Sequence, residues 1–227
     1  MRSVDRAAPE DLTARARILH AAVARFGADG LGVGLRAIAA DAGVSAGNVL
    51  HHFGSKDGLR AACDAHVLAV VRAAKSTALG PAGPDALLIQ LAGLEEYAAV
   101  VGYVLRSLQD GGPLARAFVD AFAADAADYL AAGVAGGTLR PSRDEAARAS
   151  YLTLQGIGTL LAALVLDPPD DYVRLGPWLH RYMARIGLPA MELFTEGMFT
   201  DRRMLDAYLM QVPDPPGRAA PAPVPTP

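Results

Sequence analysis

The stretch Gly34-Leu35-Arg36-Ala37-Ile38-Ala39-Ala40-Asp41-Ala42-Gly43-Val44-Ser45-Ala46-Gly47-Asn48-Val49-Leu50-His51-His52-Phe53-Gly54-Ser55-Lys56 decides the reading of this 227-residue chain. Apolar residues at helical spacing predict one short helix from Leu35 to Ala42 and another from Ala46 to His52. Between them, Gly43 can take the positive φ of a tight turn, and small Ala39 lets the two helices cross closely. Ser45 is placed to cap the second helix with its hydroxyl, while Val44 and Val49 stand at the two ends of a hydrophobic staple. Gly34 serves as a weaker cap for the first. This is the layout of a helix-turn-helix; on spacing alone, a plain helical hairpin in an all-α core also fits it.

Upstream, Leu19, Val23 and Phe26 recur at helical spacing beside Ile18 and Ala22, which predicts a helix from Thr13 to Ala28 ended by Gly30. Downstream, Ser55 caps a longer helix to about Thr77, and Gly80-Pro81-Ala82-Gly83-Pro84 is the clearest break in the chain. Beyond the break, Leu87, Leu91, Leu94, Ala98, Val101, Leu105 and Leu108 alternate steps of four and three, predicting one helix packed in a bundle. Ala147, Ser150, Leu154, Ile157, Leu161 and Leu164 repeat that rhythm, with Gly156 and Gly158 leaving room for a neighbouring backbone. A last helical region is expected from Tyr172 to about Tyr208, bent at Pro189.

Alanine is abundant, β-branched runs are few and aromatics make up 6% of the chain, so the fold class is all-α. The expected organisation is a flexible N-terminus at 1–11, a helix-turn-helix unit with its connecting fourth helix at 12–79, a helical bundle at 80–211 and a disordered Pro-rich tail at 212–227. A net charge of −3 excludes a wholesale polyanion binder and leaves room for a small basic surface. Of 21 basic residues, only Lys56 and Lys75 are lysine. One cysteine, Cys63, excludes a disulfide framework and a cysteine-rich metal site.

The N-terminus lacks the apolar core of a signal peptide, and the most apolar segment, Ile157 to Leu166, reads as too short for a membrane span. There is no Gly-rich phosphate loop, no metal-ligand spacing and no strand-elbow nucleophile, so no catalytic residue, metal or cofactor is expected. Adjacent His51 and His52 cannot chelate a metal from one helix face, and neighbouring Glu95 and Glu96 face different directions.

The run Gly47 to Leu59, with Ile18-Leu19-His20-Ala21-Ala22 and Arg25-Phe26, resembles the DNA-binding domain of the TetR family of repressors over about Thr13 to Leu68. Past Gly83 the chain is similar to that family only in layout. The resemblance implies a cytoplasmic, homodimeric, sequence-specific repressor. It would grip a near-palindromic double-stranded DNA operator and release it on binding a small-molecule effector, its helical bundle serving ligand binding and dimerisation.

By position, the resemblance assigns DNA contacts to Arg36, Ser45, Ala46, Gly47, Asn48, Leu50, His51, His52 and Lys56. Arginine suits a guanine edge or a phosphate and asparagine suits adenine; His52 and Lys56 fall at phosphate positions, and His51 at a base or sugar. The chain departs from the family pattern at Leu50, where tyrosine is usual, and at Ala46, where lysine is frequent. Leu50 is expected to face the duplex, the alternative being that it packs inward beside Phe53 and Leu59.

For the effector, Tyr97, Tyr103, Phe118, Phe122, Tyr129 and Tyr151 offer apolar walls, and Arg106, Gln109 and Gln155 polar anchors. They suit an apolar or aromatic molecule with one polar handle. Two other readings stay open: a helix-turn-helix regulator without an effector, its bundle serving only dimerisation or protein binding, and an all-α enzyme.

Overall fold

The computed structural model describes residues 9–80, 83–172 and 174–212, with no strand among the described residues. The helices are α1 Pro9–Asp29, α2 Leu35–Asp41, α3 Ala46–Phe53, α4 Lys56–Leu79, α5 Gly83–Ala92, α6 Ala98–Asp110, α7 Gly112–Ala135, α8 Glu145–Leu166, α9 Gly176–Thr195 and α10 Arg203–Leu209. The all-α expectation holds, and α2, α3 and α4 start at the expected residues.

Four expectations need correction. The N-terminal helix begins at Pro9, before Thr13; proline suits the first helical position. The seam from Leu87 to Leu108 is not one helix. It breaks at Gly93, where a 3-10 turn, Leu94–Tyr97, intervenes and the Glu96 N–H donates to the Gly93 carbonyl at 3.0 Å. Glycine is a poor helix former, and the tightened turn lets Leu94, Ala98 and Val101 pack against Leu105 and Trp178.

The region expected from Tyr172 to Tyr208 is likewise interrupted: α9 carries Pro189 in its interior, and Gly197, at φ 77°, separates it from α10. Finally, α8 is a 22-residue helix with a mean hydropathy of 1.6, long and apolar enough to cross a membrane. Residues Glu145 to Gly156 add too few charges to interrupt its apolar run. Little of that run is buried within the chain.

The main core joins Ile18, Ala22 and Phe26 of α1 to Ile38 of α2, Val49 of α3 and Leu59, Cys63 and Val67 of α4. It continues without a break into Tyr103 of α6 and Phe118 of α7. Burial pushes the Cys63 thiol up to about 12, so it serves as a small apolar filler. A second cluster packs Leu105 of α6, Leu164 of α8, and Leu175 with Trp178 and Leu179 at the start of α9. The Trp178 indole N–H donates to the Asp167 carbonyl at 2.5 Å. A third seals α7 on α8 through Ala126, Leu130 and Ala149.

Helices α1 and α6 meet backbone to backbone. A Cβ at Gly27 would stand 2.9 Å from the Tyr103 nitrogen and 3.1 Å from the Gly102 carbonyl carbon. One turn on, Arg106 donates to the carbonyls of Gly27 and Ala28 at 3.3 and 3.1 Å, satisfying acceptors that the end of α1 leaves open. The same guanidinium lies 3.9 Å from the centre of the Tyr172 ring. The Tyr103 hydroxyl donates to Asp64 of α4 at 2.5 Å. Burial raises the pKa of both groups, foremost by disfavouring their charged forms.

The chain divides into two compact units, residues 1–182 and 183–227. In the second, the later part of α9 and all of α10 carry exposed large apolar side chains, among them Leu188, Phe194, Phe199, Met204 and Tyr208. The tail expected at 212–227 lies, apart from Val212, outside the described residues, as do residues 1–8.

Gly27→Ala should lower stability by about 1–3 kcal/mol, because backbone rather than a flexible side chain blocks the added methyl. Gly32→Ala, where a Cβ meets nothing within 4 Å, should change it little. Denaturant midpoints of the two variants check this.

Candidate nucleic-acid interface

Three local bonds and two glycines at positive φ set the two helices of the motif. Gly43 takes φ 64°, and the Val44 N–H donates to the Ala39 carbonyl at 2.9 Å, turning the chain between α2 and α3. Ser45 Oγ then accepts from the Asn48 N–H at 3.1 Å. Gly54, at φ 74°, ends α3, and Ser55 Oγ accepts from the Gly58 N–H at 2.9 Å to open α4. Gly34 caps α2 without a side-chain bond.

The pair is anchored to α1 by arginines. Arg17 Nε donates to the Ala42 carbonyl at 3.2 Å, and Arg25 bridges Asp29, at 2.7 Å, and Asp41. The Arg25 guanidinium holds the Asp41 carboxyl below the usual carboxylate range.

With Val49 wholly buried against that base, the opposite side of α3 turns outward. Gly47, Leu50 and His51, three and four residues apart, are exposed, with Asn48 half-buried beside them. Arg36 on α2 is exposed, and Lys56 at the start of α4 is half-buried. The side chains of Arg36, Asn48 and Lys56 make no bond to another described residue. The inward alternative for Leu50 does not hold: it is 46% exposed, whereas Leu59 is fully buried.

His52 is half-buried, and its Nε2 is enclosed without a hydrogen-bond partner, so a phosphate contact through that atom needs a turn of the ring. Phe53 packs on the core beneath the Arg15 guanidinium, 5.0 Å away. Arg15 and Arg17 were not among the residues expected at this surface. The signal was there, two arginines just before the first apolar face of α1, both exposed in the structure.

The residues expected to hold an effector are only partly brought together. Tyr103, Phe118 and Phe122 stack edge to face with centroids 6.2 and 4.9 Å apart, and the first two are buried. Arg106 is spent on α1 and Tyr172. Tyr97 lies half-buried in the 3-10 turn, Gln109 is exposed at the end of α6, and on α8 Tyr151 is 64% exposed and Gln155 half-buried. A cavity of about 240 Å³ lies elsewhere, between the ends of α4 and α7, where Tyr129 lines it with Ser76, Leu79, Gly133 and Thr138.

Residues 18–63 match the family model of bacterial regulatory proteins, tetR family, and residues 95–200 that of the tetracyclin repressor-like C-terminal domain. The HTH-type transcriptional regulatory protein RaaS of Mycobacterium tuberculosis is 46% identical over 201 residues, 88% of this chain and 94% of that protein. The fold is shared with a TetR-family regulator structure from Rhodococcus sp. (TM-score 0.54, 21% identity, 78% of this chain and 98% of that one). A TetR transcriptional regulator from Chloroflexus aurantiacus shares it too (TM-score 0.50, 24% identity, 78% and 98%).

Because Leu50 is on the outer side of α3, Leu50→Tyr should add a hydroxyl toward the phosphate backbone without overpacking the core. One neutral hydrogen bond is worth about 0.5–1.5 kcal/mol, so DNA affinity should rise roughly two- to twelve-fold at an unchanged melting temperature. Binding and melting curves of this one variant check both halves.

Proposed function

The chain belongs to the TetR family of DNA-binding transcription regulators, and on that premise we propose that it is a cytoplasmic homodimeric repressor. It would release a near-palindromic operator on binding a small, largely apolar molecule. The observation that carries the reading is the outward side of α3, where Leu50 and His51 are exposed and the flanking Arg36, Asn48 and Lys56 are unpaired among the described residues.

In this reading Ser45, Ala46 and Gly47 bring the start of α3 against the groove. Asn48 and Arg36 read base edges, His51 and Leu50 meet base, sugar or backbone, and His52 and Lys56 hold phosphates. Arg15 and Arg17 add charge beside them. Residues 12–79 form the reading head and 80–211 the effector and dimerisation domain, with no catalytic role.

One α3 reads too few base pairs for specificity, so two copies are needed, with reading helices about 34 Å apart. What supports α8 as the joining surface is its exposed apolar strip of Tyr151, Leu154 and Val165. Beside it, Cβ atoms added to Gly156 or Gly158 would meet nothing within 4 Å. The effector is assigned to Tyr97, Tyr103, Phe118, Phe122 and Gln155; Arg106, bonded to the end of α1, and Tyr151, in the exposed strip of α8, are given up as contacts. Since Tyr103 and Phe118 are sealed, its entry must part α6 from α7. That would strain the Tyr103–Asp64 bond to α4, giving the ligand a differential hold on the two states of the head.

Selecting bound sequences from a random DNA pool gives the operator for the tests. Lys56→Ala should weaken binding to all sequences and reduce the salt slope by about one, while Asn48→Ala should relax preference at particular bases. An unchanged affinity and slope for Lys56→Ala, or full-affinity binding by a monomer, rejects the arrangement. Titrating apolar metabolites into the preformed complex tests release.

A further inference from the structure

Two of the five histidines meet across helices outside the helix-turn-helix. His20 of α1 and His66 of α4 bring their ring centres to 5.4 Å, with the planes inclined at 48°. The helices beneath them are held by a buried core, in which Ile18, Ala22 and Phe26 of α1 pack with Leu59, Cys63 and Val67 of α4. His20 is exposed and His66 half-buried. Neither ring makes a hydrogen bond or ion pair to another described residue, so the ring nitrogens are left for something else.

The separation is that of two ligands on one ion. A tetrahedral metal about 2.0–2.1 Å from one nitrogen of each imidazole holds the two ring centres about 5 Å apart. The observed 5.4 Å lies close to that, and the exposed His20 ring has room to turn a nitrogen toward its partner. Burial and, after it, the neighbouring His20 lower the His66 pKa, which favours the uncharged imidazole that a metal needs. Of the charged residues beside the pair in sequence, Arg17 turns its Nε to the Ala42 carbonyl, and Asp64 accepts from Tyr103. No third histidine, cysteine or carboxylate joins the pair among the described residues, so water completes the coordination.

We propose that His20 and His66 bind one divalent transition-metal ion of the zinc and nickel class, which clips α1 to α4. Imidazole nitrogen suits these ions, whereas magnesium and calcium take oxygen ligands. The unfolded chain does not hold the two rings together, so the ion stabilises the folded packing of α1 on α4. Spacing along one helix does not reveal the pair, because each helix supplies a single ligand.

The test uses the full chain without an affinity tag, freed of metal by a chelator, and adds zinc, nickel or magnesium sulfate. Zinc or nickel should raise the melting temperature saturably, by about 3–6 °C at ten times the dissociation constant, and magnesium should not. His20→Gln alters an exposed side chain, so it should keep the metal-free melting temperature and lose the rise. His66→Gln should lose the rise as well, and the double variant no more than either. In long-range ¹H–¹⁵N spectra, zinc should move the ring nitrogens of His20 and His66 and leave those of His51, His52 and His180 in place. No rise with zinc or nickel, a rise retained in His20→Gln, or zinc shifts confined to the other three histidines overturns the proposal.

Discussion

The structure hangs on the backbone contact between Gly27 of α1 and Gly102 of α6. Two residues without side chains bring a helix of the reading head against a helix of the bundle. The approach puts Tyr103 within reach of Phe26 and Asp64 and puts Arg106 at the end of α1. A larger residue at Gly27 would push the helices apart, and those bonds would lose their geometry together. The main core runs through this joint, so the head is packed as one body with α6 and α7.

What the sequence revealed follows from how local each cause is. Gly43, Ser45 and Ser55 set the turn and caps of the motif through partners within five residues, and the structure has them as expected. Val49, expected at one end of the staple, is buried, and Leu50, which the resemblance implied to face outward, is exposed. The break at Gly93 was missed because the apolar steps on either side keep a helical rhythm. Only the distant Trp178 cluster shows why the chain turns there. Arg106 was misjudged for the same reason: a polar side chain on a bundle helix reads as a ligand anchor until the end of α1 is seen beside it.

The basic residues divide by task. Arg25 and Arg106 spend donors on the ends of α2 and α1, as Arg17 does through its Nε, because a planar fork can serve an acceptor some distance from its own helix. Arg36 and Lys56 are left without partners among the described residues, on the side that α3 turns outward. A net charge of −3 is therefore compatible with a basic reading surface, because the count mixes arginines that act as structural caps with those that remain available.

The unbroken core from α1 through α6 also bears on modularity. In a protein whose head and bundle met only through a linker, the two could be exchanged freely between relatives. Here a chimera cut at the end of α4 would leave Phe26 without Tyr103 and the carbonyls of Gly27 and Ala28 without Arg106. A transplantable recognition unit has to carry α6 with it, so head and bundle are bound to diverge in step.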